Sequence, residues 1–497
     1  MVTLEDIADK SLLQKPSTDA AQTLERIESN YHPLHTFALP KERNYHQQFA
    51  DIYFLRLAKV KPVVEEIASA AWEDTVVGGE TATKVDRVLD VRQGQLCWVA
   101  GTVYMEMPLK PSVLEDISND RWIAAPTTID KYYSPDGGES IMLEDDSGRV
   151  RLVGSVLKDY FLVTGCIIAV MGTENAQGEF EVLDLKFADL PPQPERWALS
   201  KPPKPKGEDV EMSGTSSSKK IALVSGLEFS GTDTSYAMEL NLLLEFLLGE
   251  ALGPAAQSEL SHISRLIIAG NSIGKPADAD EAKKSHSKKY GYDASSYNPL
   301  PAQLLDGFLS ELLPTLPVTL LPGASDPATV SFPQQPIHQA MFPRARVYAS
   351  LPPGTGQSEP SGPGWFDNVT NPWEGEIEGW RVLGTSGQNL DDICRYVDSE
   401  DRLGMMEAMC RWRCSAPTAP DTLWCYPFQE DEPFTMNDCP HLYFIGNQPE
   451  FGTKVIEGAQ GQMVRLILVP SFAKTKEVVL VDTETLDVER VKIATSG

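Results

Sequence analysis

The spacing of apolar and polar positions changes along the chain. In FADIYFLRLAKVKPVVEEIASAAW apolar residues recur every three or four positions, which predicts a helix over Gln47–Ala71. Pro62 lies inside it and has no amide proton, so a break or kink is expected there. From residue 85 the period shortens. The runs QLCWVAGTVYMEM, RWIAAPTTIDKYY, SIMLEDDSGRVRLVG and FLVTGCIIAVMGTENAQGEFEVLDLKFADL read as short strands. Asp146-Ser147-Gly148 and Asn175-Ala176-Gln177-Gly178 mark turns between paired runs. Short strands broken by turns at regular intervals predict a small closed barrel.

The order strand, strand, hairpin, strand in residues 85–195 looks like an OB-fold. Residues 196–219, RWALSKPPKPKGEDVEMSGTSSSKK with Lys220, are rich in Pro, Ser, Gly and charge and read as a linker or loop. The basic KPPKPK within it is a weak import-type patch, and a solvated linker is the simpler reading. From Lys220 onward strand and helix alternate: KIALVSG, TSYAMELNLLLEFLLGEALG closed by Gly253-Pro254, ISRLIIAGN, PAQLLDGFLSELLPTL and PVTLLPG. That alternation predicts parallel βαβ units. Polar stretches at Lys275–Asn298 and after Ser350 interrupt it. The strand WRVLGTSGQN, the helix RLGMMEAMCRWRC and the strand HLYFIGNQP follow. A hairpin pair, MVRLILVPSF and EVVLVDTETLDVERVKI, closes the pattern. The expected organisation is a helical segment over 1–84, a barrel over 85–195, a linker over 196–219 and a layered α/β domain over 220–497.

Charge and cysteine usage narrow the function. The 71 acidic residues outnumber 43 basic ones, for a net charge of −28. A protein whose main task is gripping phosphates is usually basic, because that affinity comes from Lys/Arg contacts. Seven cysteines, an odd number, fit reduced thiols of the cytosol or nucleus. The beginning, MVTLEDIADK, lacks the basic and apolar regions of a signal peptide. AMELNLLLEFLLGEALG is interrupted by Glu239, Glu245 and Glu250 and is too short and charged to span a bilayer.

The candidate chemistry sits at the strand ends. They read Ser225-Gly226-Leu227-Glu228, Gly270-Asn271-Ser272-Ile273-Gly274, Gly323-Ala324-Ser325-Asp326, Gly384-Thr385-Ser386-Gly387-Gln388-Asn389 and Gly446-Asn447-Gln448-Pro449. In open α/β sheets this edge binds ligands. The set resembles the calcineurin-like metallophosphoesterase family at the five places where that family holds two metal ions. Such a site needs a bridging carboxylate, further oxygen ligands and several imidazoles to polarise phosphate and activate water. Here Gly226 and Glu228 stand where the resemblance places the first Asp and His. Asn271 and Gly274 replace two acids, and Ala324 and Ser325 replace an Asn and the catalytic His. Asn447 and Pro449 replace the last two His. Of the acids only Asp326 and Glu228 remain, in different loops.

An inactive phosphoesterase-type domain behind an OB-fold resembles the B-subunits of eukaryotic replicative DNA polymerases. The strings LVSGLEFSG, LIIAGNSIG, LPGASDP, VLGTSGQN, FIGNQPEF and VPSF are similar to the delta-type members, over about residues 40–490. The resemblance implies a β-sandwich flanked by helices, no catalysis, no metal and no cofactor. It implies a nuclear scaffold in replication and repair that docks the cysteine-rich C-terminal domain of a DNA polymerase delta catalytic subunit. A third subunit, clamp-binding, would link it indirectly to the sliding clamp, with weak or indirect DNA contact and none to membrane. The alternatives are a divergent metal-dependent phosphodiesterase and a single-stranded DNA module.

Other groupings are weaker. Cys410, Cys414, Cys425, Cys439 and His441 are too loosely spaced for a zinc site, and packed thiols are the simpler reading. His338 and His441 are isolated and read as structural. Ser386 lacks a GxSxG context, and Gly270–Gly274 lacks the Gly-Lys-Ser/Thr ending of a P-loop. Trp98, Tyr104, Trp122, Tyr132 and Tyr133 could stack bases in a barrel groove. Glu106, Glu115, Asp116, Glu144, Asp145 and Asp146 oppose phosphate there, so protein docking is expected of the barrel.

Overall fold

The computed structural model describes residues 25–46, 48–111, 130–134, 137–202, 218–249, 254–274, 298–349 and 365–494. Strand β1, Tyr31–Leu34, precedes helix α1, Asp51–Trp72. Helix α1 runs through Pro62 as one element, against the expected break. Pro62 faces outward, so the carbonyl of Ala58 that it leaves without a helix partner is on the water side. The barrel follows with β2 Cys97–Glu106, β3 Ser140–Glu144, β4 Arg149–Val153, β5 Ile167–Glu174 and β6 Glu179–Lys186. Neighbours run β2-β3-β4-β6-β5, and β5 pairs back onto β2, which closes the sheet. Both expected turns are present. The Asp145 carboxylate accepts the amides of Ser147 (2.8 Å) and Gly148 (3.3 Å), and Asn175 Oδ1 accepts those of Gln177 and Glu179.

The second region contains β7 Lys220–Val224, α2 Ala237–Leu248, α3 Pro254–Leu260, β8 Ile263–Ala269, α4 Leu300–Leu312, β9 Val318–Leu321 and β10 Phe366–Asn368. It continues with β11 Trp373–Ile377, β12 Trp380–Thr385, α5 Gln388–Tyr396, α6 Arg402–Arg411 and β13 Leu442–Gln448. The last strands are β14 Gly452–Glu457, β15 Met463–Pro470, β16 Glu477–Asp482 and β17 Val488–Lys492. These strands make two six-stranded sheets, ordered β1-β11-β12-β13-β15-β14 and β10-β9-β8-β7-β16-β17. The run β7 to β10 is parallel, as the βαβ pattern predicts. Apolar side chains of both sheets, including Leu223, Ile267, Trp373, Phe444 and Val479, form the layer between them. Helices α2 and α4 cover the outer face of the second sheet with Leu243, Leu247, Leu305 and Leu309. Helices α5 and α6 join the outer face of the first sheet to the barrel core, through Ile393, Met406 and Met409 on one side and Val103 and Ile168 on the other.

Three local expectations are corrected. Helix α2 stops at Leu248, where Gly249 takes φ +80°; Pro254 begins a second helix, so Gly253-Pro254 is not the stop. The runs MVRLILVPSF and EVVLVDTETLDVERVKI are not one hairpin. The first pairs with β14 in the first sheet, and the second folds on itself as β16 and β17 beside β7 in the other. The first 84 residues also supply β1, which pairs antiparallel with β11. The stretch 121–133, expected to be a strand, lies mostly outside the described residues, as do Glu115, Asp116, Trp122, most of KPPKPK and most of the polar stretches after Lys275 and Ser350.

Arg56 holds these parts together. It is buried on the inner side of α1, and its guanidinium donates to the carbonyls of Gly165, Pro417, Ala416 and Ala419, the Pro417 contact being 2.7 Å. It also pairs with the buried Glu432 carboxylate at 2.8 Å. Glu432 in turn accepts from the amide and hydroxyl of Thr435. The carboxylate and hydrogen bonds hold the Arg56 charge in place despite its desolvation. Gly165 takes φ +94°, and a Cβ there would lie 2.0 Å from the Pro417 carbonyl oxygen. Barrel and sandwich therefore touch backbone to backbone. Breaking a buried pair from one side leaves an unpaired charge, so Glu432→Ala is expected to cost about 3–5 kcal/mol in urea unfolding. A loss under about 1 kcal/mol would mean that water compensates the guanidinium.

Candidate functional site

The loops after β7, β8, β9, β12 and β13 converge at one edge of the sandwich. Their approach is close enough that glycine is required at several points. A Cβ on Gly226 would lie 2.5 Å from Ser471 Oγ and 2.9 Å from Asn447 Oδ1. One on Gly270 would lie 2.3 Å from Ser386 Cβ. Gly226, Glu228, Gly270, Asn271 and Asn447 all take positive φ, between +48° and +79°. Asparagine tolerates that conformation better than most residues, which suits positions 271 and 447.

Neutral amides and hydroxyls knit the loops together. Asn447 Nδ2 donates to the carbonyls of Ala269 (3.1 Å) and Ser386 (2.7 Å), and the Asn447 amide donates to Ser225 Oγ. Asn271 Oδ1 accepts the Ser325 amide, and Ser325 Oγ donates to the Ile273 carbonyl at 2.6 Å. Ser386 Oγ donates to the Pro322 carbonyl at 2.8 Å. Asn371 bonds both Ser386 and Gln334, and Gln388 joins the same cluster. Arg402 reaches Gln448 at 2.7 Å and is neutralised by Asp391.

Among the positions singled out in the sequence, Gly226, Asn271, Ser325 and Asn447 are thus brought into one cluster. Asp326 is buried beside them, and its carboxylate accepts the amides of Ile273 and Gly323, each at 2.8 Å. Burial pushes its pKa up to about 6, against the lowering effect of those amides. Glu228 contributes backbone: its amide donates to Asn271, and its carbonyl accepts the Tyr236 hydroxyl. Gly274 packs under it, where a Cβ would meet the Glu228 carbonyl at 2.9 Å. Ala324 and Pro449 are exposed and stand outside the cluster. Gln334 and Asn371 complete it and were not flagged by the sequence, because lone amides between apolar runs form no motif; Ser225 and Gln388, of the strand ends named above, bond within it, and Ser471 packs against Gly226.

The remaining groupings resolve as packing. All seven cysteines are buried and unpaired, and burial raises the thiols of Cys414, Cys425 and Cys439 to about 12. No group of three or more metal-ligating side chains occurs among the described residues. His441 Nδ1 accepts the Arg381 amide, and burial lowers its pKa to about 4. His338 caps a short turn by accepting from Ala340. Trp98 is buried between the barrel's outer face and helix α1, against Trp72, and Tyr132 is buried against Tyr396 of α5. Tyr104 lies between Lys110 and Arg149; Tyr133 sits under Lys131. Glu144 pairs with Arg149 at 3.0 Å.

Two family models match the chain, one over the barrel and one over the second region. The model for the DNA polymerase delta subunit OB-fold domain matches residues 48–185, and that for the DNA polymerase alpha/epsilon B-subunit matches residues 221–453. The class is therefore that of replicative DNA polymerase B-subunits. The chain is 34% identical to the DNA polymerase delta small subunit of Saccharomyces cerevisiae, covering 98% of both chains. It is 34% identical to the one of Arabidopsis thaliana (96% of this chain, 98% of that one) and 33% identical to DNA polymerase delta subunit 2 of Drosophila melanogaster (94% and 98%). It belongs to the DNA polymerase delta small-subunit family.

Two measurements probe the cluster. Asn447→Ala removes two side-chain hydrogen bonds and is expected to cost about 1–3 kcal/mol in chemical unfolding, whereas Ala324→Ser, outside the cluster, is expected to change little. Asp326 has a folded-state pKa above the ordinary carboxylate value. Its protonated form therefore stabilises the fold most below about pH 4, and that contribution is lost as pH rises through about 6. Wild type minus Asp326→Asn should accordingly fall across that window. A flat difference would show that the two amides hold the carboxylate at its ordinary value.

Proposed function

We propose that the chain is a non-catalytic scaffold of DNA polymerase delta in the nucleus. It bridges the cysteine-rich C-terminal domain of the catalytic subunit and a third, clamp-binding subunit. The observation that carries this reading is the strand-end cluster. Where a calcineurin-like phosphoesterase would hold two metal ions, this chain has glycine, serine and asparagine bonded to one another and to backbone. Neutral amides donate and accept without drawing in cations, and Asp326 spends its oxygens on backbone amides. Gly226, Glu228, Asn271, Ala324, Ser325, Asn447 and Pro449 are then degenerate positions with no catalytic role. The sandwich is a calcineurin-like fold kept for its surface, and residues 1–84, 85–195, 196–219 and 220–497 are its working divisions.

Relatives over nearly the full length are named small subunits of DNA polymerase delta, which supports membership of a complex with other polymerase subunits. Calorimetric titration of the purified chain with Mn²⁺, followed by a phosphodiester hydrolysis assay on the same sample, tests the absence of a metal site. No heat beyond dilution and no turnover are expected. Two stoichiometric metal ions with turnover would replace the scaffold by an enzyme. The bridge is tested by using the full chain to pull down the catalytic subunit's C-terminal domain together with the third subunit, and recovery of all three in one peak is expected.

A further inference from the structure

Helix α1 has two unlike faces. Ile52, Arg56, Val60, Val64, Ala68 and Trp72 are buried at four-residue spacing. On the opposite side Phe54, Ala58 and Pro62 are exposed at the same spacing. Phe54 shows 55% of its surface, and Phe49, just before the helix, shows 49%. An outward helix face is ordinarily polar, so this apolar stripe needs a cover. Beside it opens a cleft of about 340 Å³, walled by Phe49 and Phe54, with Tyr104 of β2 and Pro420-Asp421 of the sandwich region on the other sides. Its walls come from the three parts of the chain that Arg56 joins.

Charge indicates what covers it. Arg149 and Lys110, the cations beside the cleft, are already paired with Glu144 and Asp421. Asp51 and Glu66 flank the stripe near its two ends, Lys61 beside it is paired with Glu65 at 3.9 Å, and Asp145 also lines the cleft. The chain carries a net −28. A phosphate backbone would meet those carboxylates. A second copy using the same patch would set like charges against each other, since a two-fold contact is self-complementary. A cationic partner fits both the stripe and its flanks. Ala58, small and central, lets a second helix approach, and the cleft next to Phe54 takes one bulky side chain.

We propose that this stripe and cleft dock an amphipathic helix of another polymerase subunit, apolar on one face and flanked by Lys or Arg. The proposal rests on the scaffold reading and adds its contact surface. The test uses the full-length chain and the Phe54→Asp/Ala58→Glu variant. Each is titrated separately with the catalytic subunit's C-terminal domain and with the third subunit, at two salt concentrations. Both substitutions face water, so thermal unfolding should be unchanged, and Ser69→Asp on the same helix serves as a control. The variant is expected to bind one of the two subunits at least about tenfold more weakly, as loss of a buried aromatic anchor commonly does. Wild-type affinity for that subunit should fall with salt, and Asp51→Lys/Glu66→Lys should weaken it too. Equal affinities of variant and wild type for both subunits would overturn this surface and leave the scaffold reading standing. Wild type that binds neither subunit would overturn both. Dimerisation in sedimentation, or binding of a thymidine oligomer by anisotropy, each abolished by the same variant, would also overturn the proposal by assigning the patch a different occupant.

Discussion

One buried guanidinium sets the arrangement of the whole chain. Arg56 lies at the meeting point of the helix that carries it, the barrel turn at Gly165, and the sandwich loops at Ala416–Ala419 and Glu432. Burying a charge is costly unless its donors are satisfied; Nε of Arg56 has no partner, but its two terminal nitrogens are satisfied by carbonyls from both the barrel and the sandwich and by Glu432. Their positions are therefore coupled. If the barrel shifted against the sandwich, the guanidinium would lose partners that water cannot replace in a closed site. The core running from Val103 and Ile168 to Ile393 and Met409 supplies area, but apolar contact is non-directional. The Arg56 cluster supplies the direction.

The same logic operates at the strand-end loops, with opposite chemistry. Metal ions draw loops together by charge and need anionic or imidazole ligands. Asn447, Asn271, Ser325 and Ser386 draw them together by short-range hydrogen bonds to backbone. Such bonds need the backbones close, which is why glycine occupies 226, 270, 323 and 446, where a Cβ would collide with the neighbouring loop. The result is an edge whose shape is set by these close backbone contacts.

The strands of the barrel and of the parallel run were readable, because apolar runs bounded by Gly, Asn and Asp carry their own signal. Pro62 and Gly253-Pro254 misled locally, but the misread strands share a cause: pairing partners far apart in the chain. Tyr31–Leu34 is only four residues long and includes a proline, so nothing local marks it as the edge strand that meets Glu374–Ile377. Met463–Pro470 and Glu477–Asp482 are neighbours in sequence and look like a hairpin, yet each finds a better surface in a different sheet. At the strand ends, the scarcity of acids and imidazoles was legible from residue types alone. The hydrogen-bonded cluster formed there was not, because Gln334, Asn371 and Gln388 become meaningful only when three loops meet.

The pairing of β16 with β7 has a consequence for how the chain reaches this state. Lys220–Leu223 lies at the heart of the second sheet and must wait for Val479–Asp482 to cover one of its edges. In the first sheet β1 likewise waits for β11, and β13 for β15. Contacts of such long sequence separation are slow to form and leave strand edges open meanwhile. During synthesis the barrel, whose strands lie within residues 97–186, can close well before either sheet does. A nascent chain thus carries a finished barrel ahead of an unfinished sandwich, and that interval is when it most needs shelter from aggregation.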